Sequence, residues 1–216
     1  MLLAEEVVIL ALDVNKGKIP FSKTTLVDYG ISGAILTELA IMNRIDIEAG
    51  VVKIVDSSPL KIPILDNILK LMNETKTEKS LQYWLKSLIR SSKSLEKEIF
   101  RNLEKSNFLK IKKKKFLGIF PVIRYEITDI EKRNEILSTL KEIVIEGKET
   151  DECSTFLLGV TRNCAQIKDY FPEDSKDVIV KRIDELAKNQ IVCKAIQELI
   201  KAQQQAFILT NVTMPY

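Results

Sequence analysis

Apolar residues recur along this chain with two periods, and the switch between periods marks the elements. Leu2 to Leu12 is a nearly continuous apolar run and predicts a short apolar helix. Pro20 and Ser22 precede a longer helical pattern, about Thr25 to Asn43. Its Leu26, Ile31, Ile35, Leu36, Leu39 and Ile41 form one broad face. Gly30 and Gly33 lie inside it, each lowering helix propensity by about 1 kcal/mol, and predict a close backbone approach or a break near Tyr29. From Arg44 to Asp56 the period falls to two. Ile45 and Ile47 alternate with Asp46 and Glu48, Ala49-Gly50 turns the chain, and Val51 to Val55 returns as a β-hairpin.

Helical spacing resumes at about Ile64 to Asn73, Glu78 to Arg90 and Lys93 to Ser106, the last with Leu95, Ile99 and Leu103 four residues apart. Phe108 to Ile127 reads as a second hairpin. Leu109 and Ile111 alternate with lysines on one arm, and Ile123, Tyr125 and Ile127 with Arg124 and Glu126 on the other. Its tip, Lys113 to Pro121, is long and apolar. Four helices close the chain. The first, Ile130 to Ile145, points Ile136, Leu137, Leu140, Ile143 and Val144 one way, and the second runs from Glu152 to Tyr170. Pro172 and Asp174 open a third, with Val178, Ile179, Ile183 and Leu186 inward, and Ile191 to Phe207 is the last. No low-complexity linker interrupts the pattern. The expected fold is mainly α: a single-domain helical bundle over residues 1–216 with two β-hairpins, one a protruding hydrophobic and basic hairpin. A helix followed by a hairpin occurs twice, at Ile35 to Val55 and at Ile99 to Ile127, which is the rhythm of winged-helix modules.

Composition agrees. Of 216 residues 45% are apolar and 29% charged, a globular balance, and 7 Gly with 6 Pro leave little material for a turn-rich β fold. Charge sharpens the picture further. Lys110, Lys112, Lys113, Lys114, Lys115 and Arg124 are uninterrupted by any acid, and without them the net +3 would become −3. The basicity is one local patch on a slightly acidic body.

The chain has no histidine, which removes the commonest general base and metal ligand near neutral pH. Gly30-Ile31-Ser32-Gly33 is neither a P-loop nor a dinucleotide fingerprint. Cys153, Cys164 and Cys193 lack paired spacing, so no disulfide or zinc site is expected and a reducing, cytoplasmic compartment fits. The acidic pairs Glu5-Glu6, Asp151-Glu152 and Glu173-Asp174 sit at predicted helix starts, where they complement the dipole. The reading is of a protein that is not an enzyme, with no catalytic residue, metal or cofactor. The opening apolar run lacks a basic leader and is not a signal peptide, and no run approaches the ~20 residues that cross a bilayer. Any membrane would be met from the side.

Phe116, Leu117, Ile119 and Phe120 directly follow the four lysines. A turn that only reversed the chain would be polar. Large apolar residues at a tip need burial in a partner, a sister subunit or a bilayer. Lysines beside apolar tips suit an anionic membrane, charges meeting headgroups while rings enter the interface. Five basic residues at about 1 kcal/mol each would give affinity between millimolar and micromolar. Two alternatives use the same residues. A basic wing could contact nucleic-acid phosphates, although the helix before the first hairpin has only Lys23 and Arg44 near its ends. The tip could instead join copies of the chain into a homo-oligomer.

Four segments in order resemble the Golgi phosphoprotein 3 family, prokaryotic members included: LLAEEVVILALDVNKGKI, GISGAILTELAIMNRIDI, LQYWLKSL, and NLEKSNFL running into KKFLGIFPVIRY. The resemblance spans nearly the whole chain. It implies a single-domain, mainly helical peripheral membrane protein. Eukaryotic members bind phosphatidylinositol 4-phosphate and the cytosolic tails of Golgi glycosyltransferases, so anionic lipids and membrane-protein tails are the implied partners. It implies that Phe116 to Pro121 is the family's hydrophobic hairpin. It also implies headgroup contacts near Lys93, with Arg90 and Lys97 beside it. The family's Gly-x-Arg-Gly has Ser32 at its arginine here, no Trp precedes it near Lys23, and Glu96 replaces a helix arginine. The resemblance therefore implies a general preference for anionic lipid. Trp84 is read as a core residue.

Overall fold

The structure is a computed structural model describing residues 1–116, 119–164, 167–171 and 176–212, with the side chains of 114–116, 120, 121, 169 and 206–212 left aside. The chain opens with helix α1, Leu3–Ala11, then the 24–41 helix α2, Thr24–Ile41. α2 is the central post: α1, α4 (Leu81–Arg90), α5 (Ser92–Lys105), α7 (Glu152–Asn163) and α10 (Ile191–Val212) all pack on it. The remaining helices are α3 (Pro63–Glu74), α6 (Ile130–Ile145), α8 (Ile167–Tyr170) and α9 (Lys176–Leu186). The mainly α expectation is met.

The two glycines of α2 answer the alternative left open by the sequence. The helix is unbroken. A Cβ on Gly30 would lie 2.6 Å from Val7 Cγ1, and one on Gly33 would lie 2.7 Å from Ile196 Cδ1 and 2.9 Å from the Phe156 ring. They are there so that α1, α7 and α10 can approach the post. Leu26, Ile31, Ile35, Leu36 and Leu39 are buried as expected, but Ile41, in the last turn, is exposed.

Strand β1 (Ile45–Glu48) pairs antiparallel with β2 (Val51–Ile54), and the Arg44–Asp56 ion pair closes the open end. A third strand, β3 (Lys79–Ser80), pairs Val51 with Ser80. The sequence reading placed these residues in a helix. Ser80 instead ends the strand and caps α4, its hydroxyl accepting from Tyr83 N–H at 3.2 Å. Trp84 is buried, a core residue as expected.

Two further expectations need correction. The helix foreseen from Glu152 to Tyr170 stops at Cys164 and resumes as α8. The break lets Ile167, Tyr170 and Phe171 turn into the core, where the Tyr170 hydroxyl donates to Leu10 O at 3.0 Å. On α9, Ile179 and Ile183 are buried one helical turn apart. Val178 lies about 100° around the helix from Ile179 and is exposed. Leu186, foreseen as inward, is half-buried and packs against the core. Cys164 and Cys193 are buried and their thiols are pushed up to about 12 by desolvation; half-buried Cys153 is pushed to about 11 for the same reason, aided by Asp151 and Glu6. At neutral pH all three are protonated thiols.

One buried acid makes the fold pH-dependent. Glu38, on α2, accepts from Leu3 N–H at 3.2 Å. Burial raises its carboxyl to about 7, with Glu5 and Glu6 adding to the shift against the Leu3 N–H and the N-terminal ammonium. A carboxyl whose folded value exceeds its unfolded one costs stability as pH climbs between the two, here from about 4.5 to about 7. Glu38→Gln keeps an acceptor for Leu3 and removes the titration. Relative to wild type it should gain about 2 kcal/mol, or roughly 4–8 °C in Tm, on going from pH 5 to pH 8. Thermal melts of both proteins at the two pH values check this; parallel behaviour would mean that Glu38 ionises freely.

Candidate docking hairpin

β4 (Leu109–Phe116) and β5 (Phe120–Ile127) pair in continuous antiparallel register from Leu109–Ile127 to Phe116–Phe120. The tip foreseen from Lys113 to Pro121 is thus mostly strand, and only 117–119 lie between the arms. Leu117 lies outside the described residues. The side chains of Lys114, Lys115, Phe116 and Phe120 lie outside them too, although their backbone pairing with Val122, Pro121 and each other is present. Ile119 is described and 75% exposed.

Strand geometry sorts the lysines. Side chains alternate between faces, and paired positions share one. Lys110 and Lys112 lie with their partners Glu126 and Arg124 on the outer face. Lys113 falls on the other face, beside Ile123 and in line with Ile111 and Tyr125. A run that looks like one patch in sequence is split by the pleat. The outer face is itself mixed: Lys112 and Glu126 form an ion pair across the strands. Arg124 is half-buried and donates to its neighbour Ile123 O at 3.0 Å. Lys110, Lys112 and Lys113 are exposed.

The hairpin base is firmly seated. Phe108 and Leu109 are buried, Ile111 N–H donates to Glu104 Oε1 at 3.0 Å, and the Tyr125 ring stacks on buried Phe100 of α5 with centroids 3.5 Å apart. The outer edge of β5 meets a second segment that sequence reasoning missed. Asp13 and Lys18 bridge to form a turn, and Tyr125 N–H donates to Gly17 O at 2.8 Å. Away from this base the arms become exposed, as at Ile123.

The other residues proposed for headgroups stand apart in the chain of elements. Arg90 ends α4, and Lys93 and Lys97 lie on α5. Lys93 is paired with Glu96 at 3.4 Å. Helical spacing extends this row through two residues not singled out before, Arg101 and Lys105, and Lys97, Arg101 and Lys105 line one shallow cleft with Pro63. All four row members are exposed, and the row runs about 18 Å toward the hairpin base. The signal was legible as an i, i+4 repeat, but three interspersed glutamates hid it. Ser32, at the family's arginine position, is fully buried with its hydroxyl donating to Asp28 O at 2.7 Å. Asp28 in turn accepts from Ser92 at 2.7 Å, so this corner presents a carboxylate where a phosphate would need a cation.

A cleft of about 380 Å³ opens between α2, β1 and α10 and includes Asp46, Asp151 and Glu152 in its wall. Asp151 caps α7 by accepting from Ser154 N–H at 2.6 Å, and Asp46 accepts from Ile47 N–H at 2.7 Å. Two of its three acids thus already hold backbone amides. Among the described residues no group of His, Cys, Asp and Glu could hold a metal ion, and no helix is long and apolar enough to cross a membrane.

Fold and site define a mainly helical protein whose concentrated charge sits on an exposed strand pair. The family model described as Golgi phosphoprotein 3 (GPP34) matches residues 3–203, and the chain belongs to that family, one of non-enzymatic adaptors. Among curated proteins no match to the chain was found.

Proposed function

We propose that this protein is a peripheral membrane adaptor that docks on anionic lipid headgroups through the β4–β5 hairpin. The observation that carries this reading is the exposed hairpin itself. Lys110, Lys112 and Lys113 stand exposed on a strand pair rooted in the core, and the arms lead to an apolar end where Ile119 is bare. Such an arrangement brings cations to headgroup level while the apolar end enters the interface. The α5 row, Lys93, Lys97, Arg101 and Lys105, adds a second strip of positive charge leading to the same base. Phosphoinositide selectivity is not part of the proposal, because buried Ser32 and the Asp28 carboxylate do not form a phosphate pocket.

The nucleic-acid alternative has little support at the first hairpin, because α2, the helix before it, is buried along most of its length and leaves little surface for a groove.

Co-sedimentation with phosphatidylcholine vesicles, with and without phosphatidylserine, tests the proposal. Binding should require the anionic lipid and weaken with salt. Replacing Lys112, Lys113, Lys114 and Lys115 together by alanine should lower affinity about 100-fold; at ~1 kcal/mol each, the Lys112–Glu126 pair discounts one of the four. Equal binding to both vesicle types, or an unchanged affinity in the alanine variant, would sink the idea.

A further inference from the structure

None of the described residues around the cleft between α2, β1 and α10 belongs to the hairpin or to the α5 row. Its volume of about 380 Å³ lies in the range of small-molecule sites, about 300–1,000 Å³. Its lining has two characters. Ile47 and Leu186, both half-buried, and Ile191, 47% exposed, supply apolar wall. Asp46, Asp151 and Glu152 are exposed beside them, and among the described residues no lysine or arginine lines the cleft.

The charge can be counted. Asp46 and Asp151 each offer one oxygen, Oδ1, to a backbone amide, which leaves the second oxygen of each. The cation opposite Asp46 in the sheet, Lys53, is held by Glu48 at 2.6 Å. Helix dipoles offset part of the rest. α7 and α10 both begin at the cleft, and each N-terminus carries about +0.5 of an elementary charge. Three carboxylates against two helix starts leave about two negative charges. The negative field extends behind the start of α7: the Cys153 thiol, pushed up first by burial, is raised further by Asp151, Glu6, Glu38 and Glu152.

Thr37 is an independent observation. It is 3% exposed, lines the cleft from α2, and its Oγ1 has no hydrogen-bond partner. Among the described residues it is the only buried hydroxyl left so. A buried hydroxyl without a partner is disfavoured, and a polar ligand atom that reaches it gains a hydrogen bond.

We infer that this cleft binds an aliphatic diamine. The methylene body of this small organic dication lies along Ile47, Leu186 and Ile191. Its ammonium groups meet Asp46, Asp151 and Glu152, one of them donating to Thr37. Each part of that choice has a reason. The net charge repels an anion. A bare metal ion would leave the apolar wall in water, and among the described residues these acids form no metal-holding group. A peptide laid along β1 would seek free edge amides, and Ile47 N–H is already taken by Asp46 Oδ1 at 2.7 Å.

Isothermal titration of the full chain with hexamethylenediamine, hexylamine, hexanediol and magnesium ion separates charge from apolar contact. The diamine should bind about 10-fold more tightly than hexylamine or magnesium and weaken with added salt, and hexanediol should give no heat. Asp46→Asn combined with Glu152→Gln keeps an acceptor for Ile47 and removes two charges. It should weaken diamine binding about 10-fold with an unchanged helical circular dichroism signal. Thr37→Val deletes a hydroxyl that has no partner, so it should weaken binding severalfold without lowering Tm. Magnesium binding as tightly as the diamine, or an unchanged affinity in the double variant, would overturn the inference. So would a short lysine-bearing peptide that binds while the diamine gives no heat, because the acids would then serve a protein partner. Any of these failures leaves the hairpin's vesicle binding as it was, since the two sites share no described residue.

Discussion

Replacing Phe100 by alanine should destabilise the protein by about 3–5 kcal/mol and loosen the hairpin in the same stroke. Phe100 is 1% exposed on α5 and carries the Tyr125 ring of β5 in a parallel stack. Its removal leaves a void bounded on one side by a helix packed on α2 and on the other by a strand pair. Neither can close the gap without breaking its own hydrogen bonds. Against a typical total of about 5–15 kcal/mol, the loss would be visible as a large fall in the urea midpoint. Hydrogen exchange supplies the second readout: β4–β5 amides should lose more protection than those of α7, which makes no contact with this ring in the stack described. Phe100→Leu keeps much of the volume and should cost less than about 1.5 kcal/mol. An alanine variant within 1 kcal/mol of wild type would show that the hairpin is seated by something else.

Gly17→Ala should cost about 2–3 kcal/mol, confined to one corner of the molecule. Two effects add. A residue with a Cβ at φ +59 meets the left-handed penalty of about 1–2 kcal/mol. The new methyl also meets the Tyr125 carbonyl oxygen, so the loop must lift and forfeit the Tyr125 N–H bond, worth about 0.5–1.5 kcal/mol. The sharpest measurement is exchange of the Tyr125 amide, which should quicken while the amides of α2 hold. Asparagine tolerates positive φ but still carries a Cβ. Gly17→Asn should therefore fail to restore protection, and full restoration would show that backbone conformation alone, not the close approach, requires glycine.

Much of the fold was legible because its signals are local. Leu95, Ile99 and Leu103 announce the buried face of α5 by spacing alone, and Ile45 and Ile47 announce β1 by alternation. The misses are of another kind. β3 is two residues long and exists because β2 offers it an edge, which no window over Lys79-Ser80 can reveal. The stop at Cys164 has no proline or glycine to mark it; it is set by where Tyr170 and Phe171 find burial. Val178 was placed inward on hydrophobicity, and helical geometry then gave the inward positions to Ile179 and Ile183.

The candidate site was legible in composition and not in arrangement. Lys110 to Lys115 was visible as charge, but the pleat that separates Lys113 from Lys112 becomes decisive only once the register with Ile123 and Arg124 is known. The Gly17 junction lay beyond reach for a similar reason: it joins positions 108 residues apart, and a lone glycine before Lys18 reads as an ordinary turn.

The continuous pairing of β4 with β5 also constrains how this stretch can drift. Exchanging Lys110, Lys112 or Lys113 for another residue changes one contact and leaves the rest in place. Deleting a single residue between Leu109 and Lys112 would slide the arm by one position, and with a period of two every later side chain would change sides. A lysine would then take the place opposite Tyr125, beside Phe100, that Ile111 now holds. Length in these arms is therefore far less negotiable than spelling, and insertions or deletions should accumulate at the far bend, where an added residue shifts no partner.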